Sequence, residues 1–124
     1  MYYPYLKQSS FLSPTELEFY KKLKILAEEK GMVVFAKVRL ADLVWIPNNY
    51  KLFKFFFNTI KAKQIDFVLC DAETLEIKSL VELDDKTHDM PERQSRDRFV
   101  NKVIKKSGHQ FIRCSAPEHV CAQF

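Results

Sequence analysis

Glycine is nearly absent from this chain, with two in 124 residues, and proline is sparse, with five. That scarcity argues against a disordered segment or a repeat array. Cysteine is as thin. Cys70, Cys114 and Cys121 form no Cys-x-x-Cys pair and are odd in number, so they read as reduced thiols of a cytoplasmic protein, with Cys70 and Cys114 in strands. No apolar run approaches the roughly 18 residues that a membrane-spanning helix needs. Residues 33–36 and 52–57, the latter interrupted by Lys54, both fall far short. There is no signal-peptide pattern, and no membrane partner is expected.

Aromatic residues are plentiful by contrast. Eleven Phe and five Tyr are many for this length, and several sit near lysines. Twenty Lys and Arg against sixteen Asp and Glu leave +4, a balance that permits nucleic acid as a partner without requiring it. A chain of 124 residues has the size of one domain and buries about two-thirds of its unfolded surface, so it needs no covalent staple.

Residues 1–12 lack a clear period and read as a lead-in segment, compatible with a linker from further domains of a longer chain. Residues 13–116 read as the domain and residues 117–124 as a tail that can start another helical turn. Ser13-Pro14-Thr15-Glu16 is a helix start: Ser13 as N-cap, Pro14 at the first position, Glu16 at the third. Gly31 ends that helix, and residues 32–38 form a strand. Residues 39–44 are either a short helical turn or extended, and Pro47-Asn48-Asn49 marks a turn. Residues 50–63 are aromatic and basic and read as a short helix. Its lysines can meet phosphates while its rings stack on bases. Equally, its Phe residues can be core while the lysines keep the outer face wet.

Residues 64–70 and 77–83 read as two strands of a hairpin turning at 71–76. Alternation places Ile65, Phe67 and Leu69 on one face, and Asp66, Val68 and Cys70 on the other. It likewise groups Glu82 with Asp84, opposite Val81 and Leu83. A helix from Pro91 to Lys106, capped by Asp89 or Met90, buries Phe99, Val100, Val103 and Ile104. Gly108 stops it, and residues 110–114 form the last strand. The order is α-β-β-β-α-β with an insertion after the first strand, an α/β fold with a mixed sheet flanked by helices.

The chemistry concentrates in the acids. An acid among apolar strand residues, as Asp66 is, costs free energy unless it is paired or ligates a metal. Neighbouring strands lie about 4.8 Å apart, so the hairpin can bring Asp66 beside Glu82 or Asp84. Three carboxylates there make a hard-oxygen site suited to Mg²⁺ or Mn²⁺. Glu16 can add a further carboxylate or serve the helix cap, but not both. His88 follows the acidic run and can exchange a proton near neutral pH, or be a turn residue without function. Arg93, Arg96 and Lys102 lie on the next helix, where Arg96 and Asp97 can support the acids or grip phosphate, or the helix can carry salt-bridging pairs on a wet face.

These residues together resemble the PD-(D/E)XK nuclease superfamily, whose restriction-endonuclease-like core has this αβββαβ order. The resemblance covers about residues 11–116. More narrowly, it is to a bacterial family of uncharacterised domains related to the very-short-patch repair endonucleases. It is carried by Leu12-Ser13-Pro14-Thr15-Glu16 with Phe19-Tyr20, by residues 34–42 (VFAKVRLAD) and by Ile65-Asp66-Phe67-Val68-Leu69-Cys70-Asp71. Glu82-Leu83-Asp84-Asp85 with His88, and residues 93–102, complete it. The resemblance implies a metal-dependent nuclease acting on DNA, with Mg²⁺ or Mn²⁺ held by Asp66 and Glu82, the Leu83 carbonyl as a further ligand, and Glu16 matching a first-helix acid. It also places a catalytic lysine at position 84, where this chain has Asp84. Lys86, His88, Arg96 and Lys102 are the substitutes in reach by sequence, His88 first. Lys51, Lys54, Lys61, Lys63 and Arg93 are the expected nucleic-acid contacts, and pairing of two copies to cut both strands is compatible with the family. A binding module on the same fold that has lost catalysis, or a protein-interaction module presenting residues 50–63, are the competing expectations.

Overall fold

A computed structural model of the chain describes residues 1–48, 51–84 and 91–121, with the side chains of 91–97 and 121 outside the description. The elements are α1 (Pro14–Glu29), β1 (Met32–Arg39), a 3-10 turn (Leu40–Asp42), α2 (Phe53–Ile60), β2 (Gln64–Asp71), β3 (Ile77–Leu83), α3 (Pro91–Ser107), β4 (Phe111–Cys114) and α4 (Glu118–Cys121). The four strands lie in the order β1-β2-β3-β4. β1–β2 and β2–β3 are antiparallel and β3–β4 is parallel. This is the mixed α/β sheet with flanking helices expected from the sequence. α2 and the 3-10 turn form the insertion after the first strand.

Local chemistry accounts for the element boundaries. At the start of α1, Ser13 Oγ accepts from Glu16 N–H at 3.2 Å, and Glu16 Oε1 accepts from Ser13 N–H at 2.8 Å, a reciprocal capping box. Gly31, at φ +72°, supplies the left-handed residue that lets the chain leave α1 for β1. In the β2–β3 hairpin, Asp71 Oδ1 accepts from Glu73 and Thr74 N–H, closing the turn, and these bonds hold its carboxyl below its ordinary range.

The sheet carries a core on each side. Phe19, Leu23 and Ala27 of α1 pack with Phe67, Leu69, Val81, Cys114 and Val120. The segment read as a tail therefore belongs to this core through Val120 of α4. On the other side Leu40, Leu43 and Ile60 pack with Ile65, Val68, Cys70 and Leu80, closed over by Val100 and Ile104 of α3.

Two expectations are corrected. Phe99 is not buried with Val100 and Ile104 but is 38% exposed, because those two residues, one turn apart, already fill the face that α3 turns to the sheet. Ile65 does not share a face with Phe67 and Leu69 but packs in the second core with Val68 and Cys70. The partner strand changes face at the same level, since Val34 and Ala36 pack on the α1 side and Val38 on the other. Lys37 lies between them at φ +54°, outside the extended region, and the ladder passes from Ala36↔Phe67 directly to Val38↔Ile65. Strict alternation requires extended backbone throughout, and Lys37 interrupts it opposite Asp66. Its ammonium donates to the Phe11 carbonyl at 2.7 Å and lies 5.3 Å from the Phe11 ring, which pins the end of the lead-in segment to the sheet.

Candidate active site

β2 and β3 are paired as far as Phe67↔Val81. Beyond that level a side chain replaces the ladder: Asp66 Oδ2 accepts from the Leu83 N–H at 2.8 Å. The aspartate thus satisfies the strand-end donor. Glu82 lies alongside, on a central strand and only 2% exposed. With Ser79 it is one of two buried polar side chains among the described residues. Burial, then hydrogen bonding to Asp66 and the charge of Asp66, push the Glu82 carboxyl up to about 8, against a lowering pull from Lys63. Asp66 and Glu82 are therefore brought together as the hairpin geometry requires.

Their counter-charge comes from Lys63. Its ammonium is 3.2 Å from Glu82 Oε1, with 20% of the lysine side chain and 3% of the glutamate side chain exposed. The contact is a close approach rather than a well-directed hydrogen bond, because Oε1 has no partner of hydrogen-bond geometry, and the lysine lowers the Glu82 carboxyl less than burial and Asp66 raise it. The Lys63 backbone is anchored at both ends: its N–H donates to Ile60 O at 3.0 Å and its carbonyl accepts from Leu40 N–H at 2.9 Å. By sequence Lys63 groups with the surface cations, yet it faces the acids. Its signal was indirect, since a glutamate inside a strand needs a compensating charge, and Lys63 is the last cation before the strand that carries Asp66.

The remaining predicted residues are dispersed. Glu16 is occupied in the α1 capping box. Asp84 is exposed just past β3, its N–H extending the parallel ladder to Cys114 O at 2.9 Å. Lys102 is exposed on α3, and Lys51, Lys54 and Lys61 are exposed on and beside α2. His88 and Lys86 lie outside the described residues, as do the side chains of Arg93 and Arg96. Arg113 is the register partner of Glu82 on β4.

Among the described residues no group of three or more His, Cys, Asp or Glu is placed to hold a metal. The Asp66–Glu82 pair nonetheless fits a hard divalent cation. Mg²⁺ is commonly bound through one or two carboxylates, with water and substrate phosphate completing its shell. Glu82 Oε1, nearly buried and without a directed hydrogen bond, has a single lysine 3.2 Å away as its counter-charge, so a second, harder cation between the two carboxylates suits its chemistry. No described helix is long and apolar enough to cross a membrane. No curated protein and no solved structure matches the chain. Residues 8–123 match the family model described as "Protein of unknown function (DUF2726)", and the chain belongs to that family.

Proposed function

We propose that the chain is a metal-dependent nuclease domain that hydrolyses DNA phosphodiester bonds. The observation carrying this reading is the Asp66–Glu82 carboxylate pair, set where β2 and β3 stop pairing and faced by a largely buried lysine. Asp66 and Glu82 would hold Mg²⁺ or Mn²⁺, with the Leu83 carbonyl at the same strand end. Such an ion neutralises charge on the phosphodiester and lowers the pKa of a bound water. The Leu83 N–H fixes the orientation of Asp66, so its carboxylate is held in place before substrate arrives. Lys63 supplies the cation that position 84 does not, 3.2 Å from Glu82 and on an anchored backbone. There it can meet a non-bridging phosphate oxygen and stabilise the charge that develops on hydrolysis.

Asp84 favours a second reading, DNA binding without cleavage, and one experiment separates the two. Supercoiled, single-stranded and branched DNA are incubated with Mg²⁺ or Mn²⁺, against a chelator control. Cutting that requires metal, disappears in Asp66→Ala and Glu82→Ala, and falls on the order of a hundredfold in Lys63→Met establishes the nuclease. Lys63→Arg, which keeps the charge, should recover part of the rate. DNA retention at low salt with no cutting in any metal would establish the binding module instead.

A further inference from the structure

Two segments of the chain contain cations and no acids. Residues 43–65 hold Lys51, Lys54, Lys61 and Lys63, and residues 98–113 hold Arg98, Lys102, Lys105, Lys106 and Arg113, with no Asp or Glu in either. Together they carry +9 in a chain whose total is +4, leaving −5 for everything else. The fold gathers both segments on one side of the sheet, because Leu43, Ile60, Val100 and Ile104 share the second core. All of these cations except Lys63 are exposed.

Between them runs a groove of about 250 Å³, lined by Trp45, Ile46, Phe56, Phe99, Val103 and Lys106 among others. Trp45 is 81% exposed and Phe99 38%, so rings are presented to solvent rather than spent on the core. The loop bearing Trp45 is held in place by His109, whose Nε2 bonds to the Leu43 carbonyl. Ile60 also lines the groove, and its carbonyl accepts the N–H of Lys63, the lysine facing Glu82.

We infer that this groove takes an unpaired nucleobase of the bound strand, stacked on Trp45, with the flanking phosphates on Lys106 and the neighbouring cations. The inference rests on the nuclease reading and names its substrate class: DNA with single-stranded or extruded nucleotides. A base inside a duplex has both faces stacked and cannot enter such a slot. A single strand offers a ring face and a regularly spaced negative backbone, which is what an acid-free row of cations beside aromatic rings complements. An isolated acidic peptide would be matched by one or two lysines, whereas the cationic surface extends over both helices.

Trp45 is the chain's single tryptophan, so its fluorescence reports on this groove alone. The full chain in chelator, where cutting is suppressed, is titrated with an oligothymidylate of roughly ten nucleotides. A duplex of equal length and an acidic amphipathic peptide are titrated in parallel. Saturable quenching by the single strand, weaker with duplex, is expected. By anisotropy of a labelled strand, Trp45→Ala should weaken binding by about tenfold or more, and Lys106→Gln should weaken it and flatten its salt dependence. Lys21→Gln, at an exposed position on α1 across the sheet, should leave the quenching intact. Single-strand binding without quenching and unchanged in Trp45→Ala overturns the inference, as does equal quenching by duplex or quenching by the peptide alone. Metal-dependent cutting accompanied by any of those results would leave the nuclease standing and remove only the base site.

Discussion

Glu82 poses the sharpest question of energy in the molecule. A carboxyl at 2% exposure, beside a second carboxylate, holds its proton up to about 8 instead of its ordinary 4.5. Between those values the folded chain binds a proton that the unfolded chain has released, so stability falls as pH rises through this window. The loss is about 1.4 kcal/mol for each pH unit in which Glu82 alone titrates. Glu82→Gln, neutral at every pH, removes that slope. In urea unfolding with chelator present, wild type should lose stability relative to Glu82→Gln from pH 5 to pH 8. Parallel pH profiles for the two proteins would show that Lys63 keeps Glu82 ionised throughout. The same burial explains the chemistry proposed for the site, since a divalent ion compensates two carboxylates better than one lysine does.

At the scale of elements, α1 and the β1 kink separate what the sequence shows from what it hides. The capping box was legible because Ser13, Pro14 and Glu16 occupy fixed positions at a helix start, and the structure closes both of its hydrogen bonds. Ser13→Ala should cost about 1 kcal/mol in urea unfolding. Glu16→Gln keeps an acceptor for the Ser13 N–H and should leave both stability and metal-dependent cutting nearly unchanged. A large loss of cutting with stability intact would instead make Glu16 a ligand. The β2–β3 hairpin and the meeting of Asp66 with Glu82 were also readable, from alternation and a short turn. The face change at Lys37 was not, because a mostly apolar stretch from Met32 to Val38 hides a single left-handed residue, and Ile65 lies in the opposite core. Lys63 escaped for a related reason. Its partner depends on how the α2 insertion returns to the sheet, a long-range fact that local periodicity does not encode.

Across the whole molecule the important quantity is where the charge sits, not its sum. The net of +4 is small, yet the α2–α3 side carries all nine cations of two acid-free segments, while α1 alone carries Glu16, Glu18, Glu28 and Glu29. If the fold has sorted its charge for nucleic acid, reversing equal numbers of lysines on the two sides must have unequal effects. Lys54→Glu, Lys61→Glu and Lys102→Glu together alter the α2–α3 side. Lys21→Glu, Lys22→Glu and Lys24→Glu change the net charge identically on α1. All six lysines are exposed, so both variants should fold, with only the weak Lys22–Glu18 pair lost on α1. Single-strand affinity, measured by anisotropy over a range of salt, should fall by at least about tenfold in the first variant, and its log–log salt slope should flatten by about 2. The α1 variant should keep the wild-type slope. Equal losses in the two would mean that DNA responds only to net charge, and that the aromatic groove and its cations lie together without acting together.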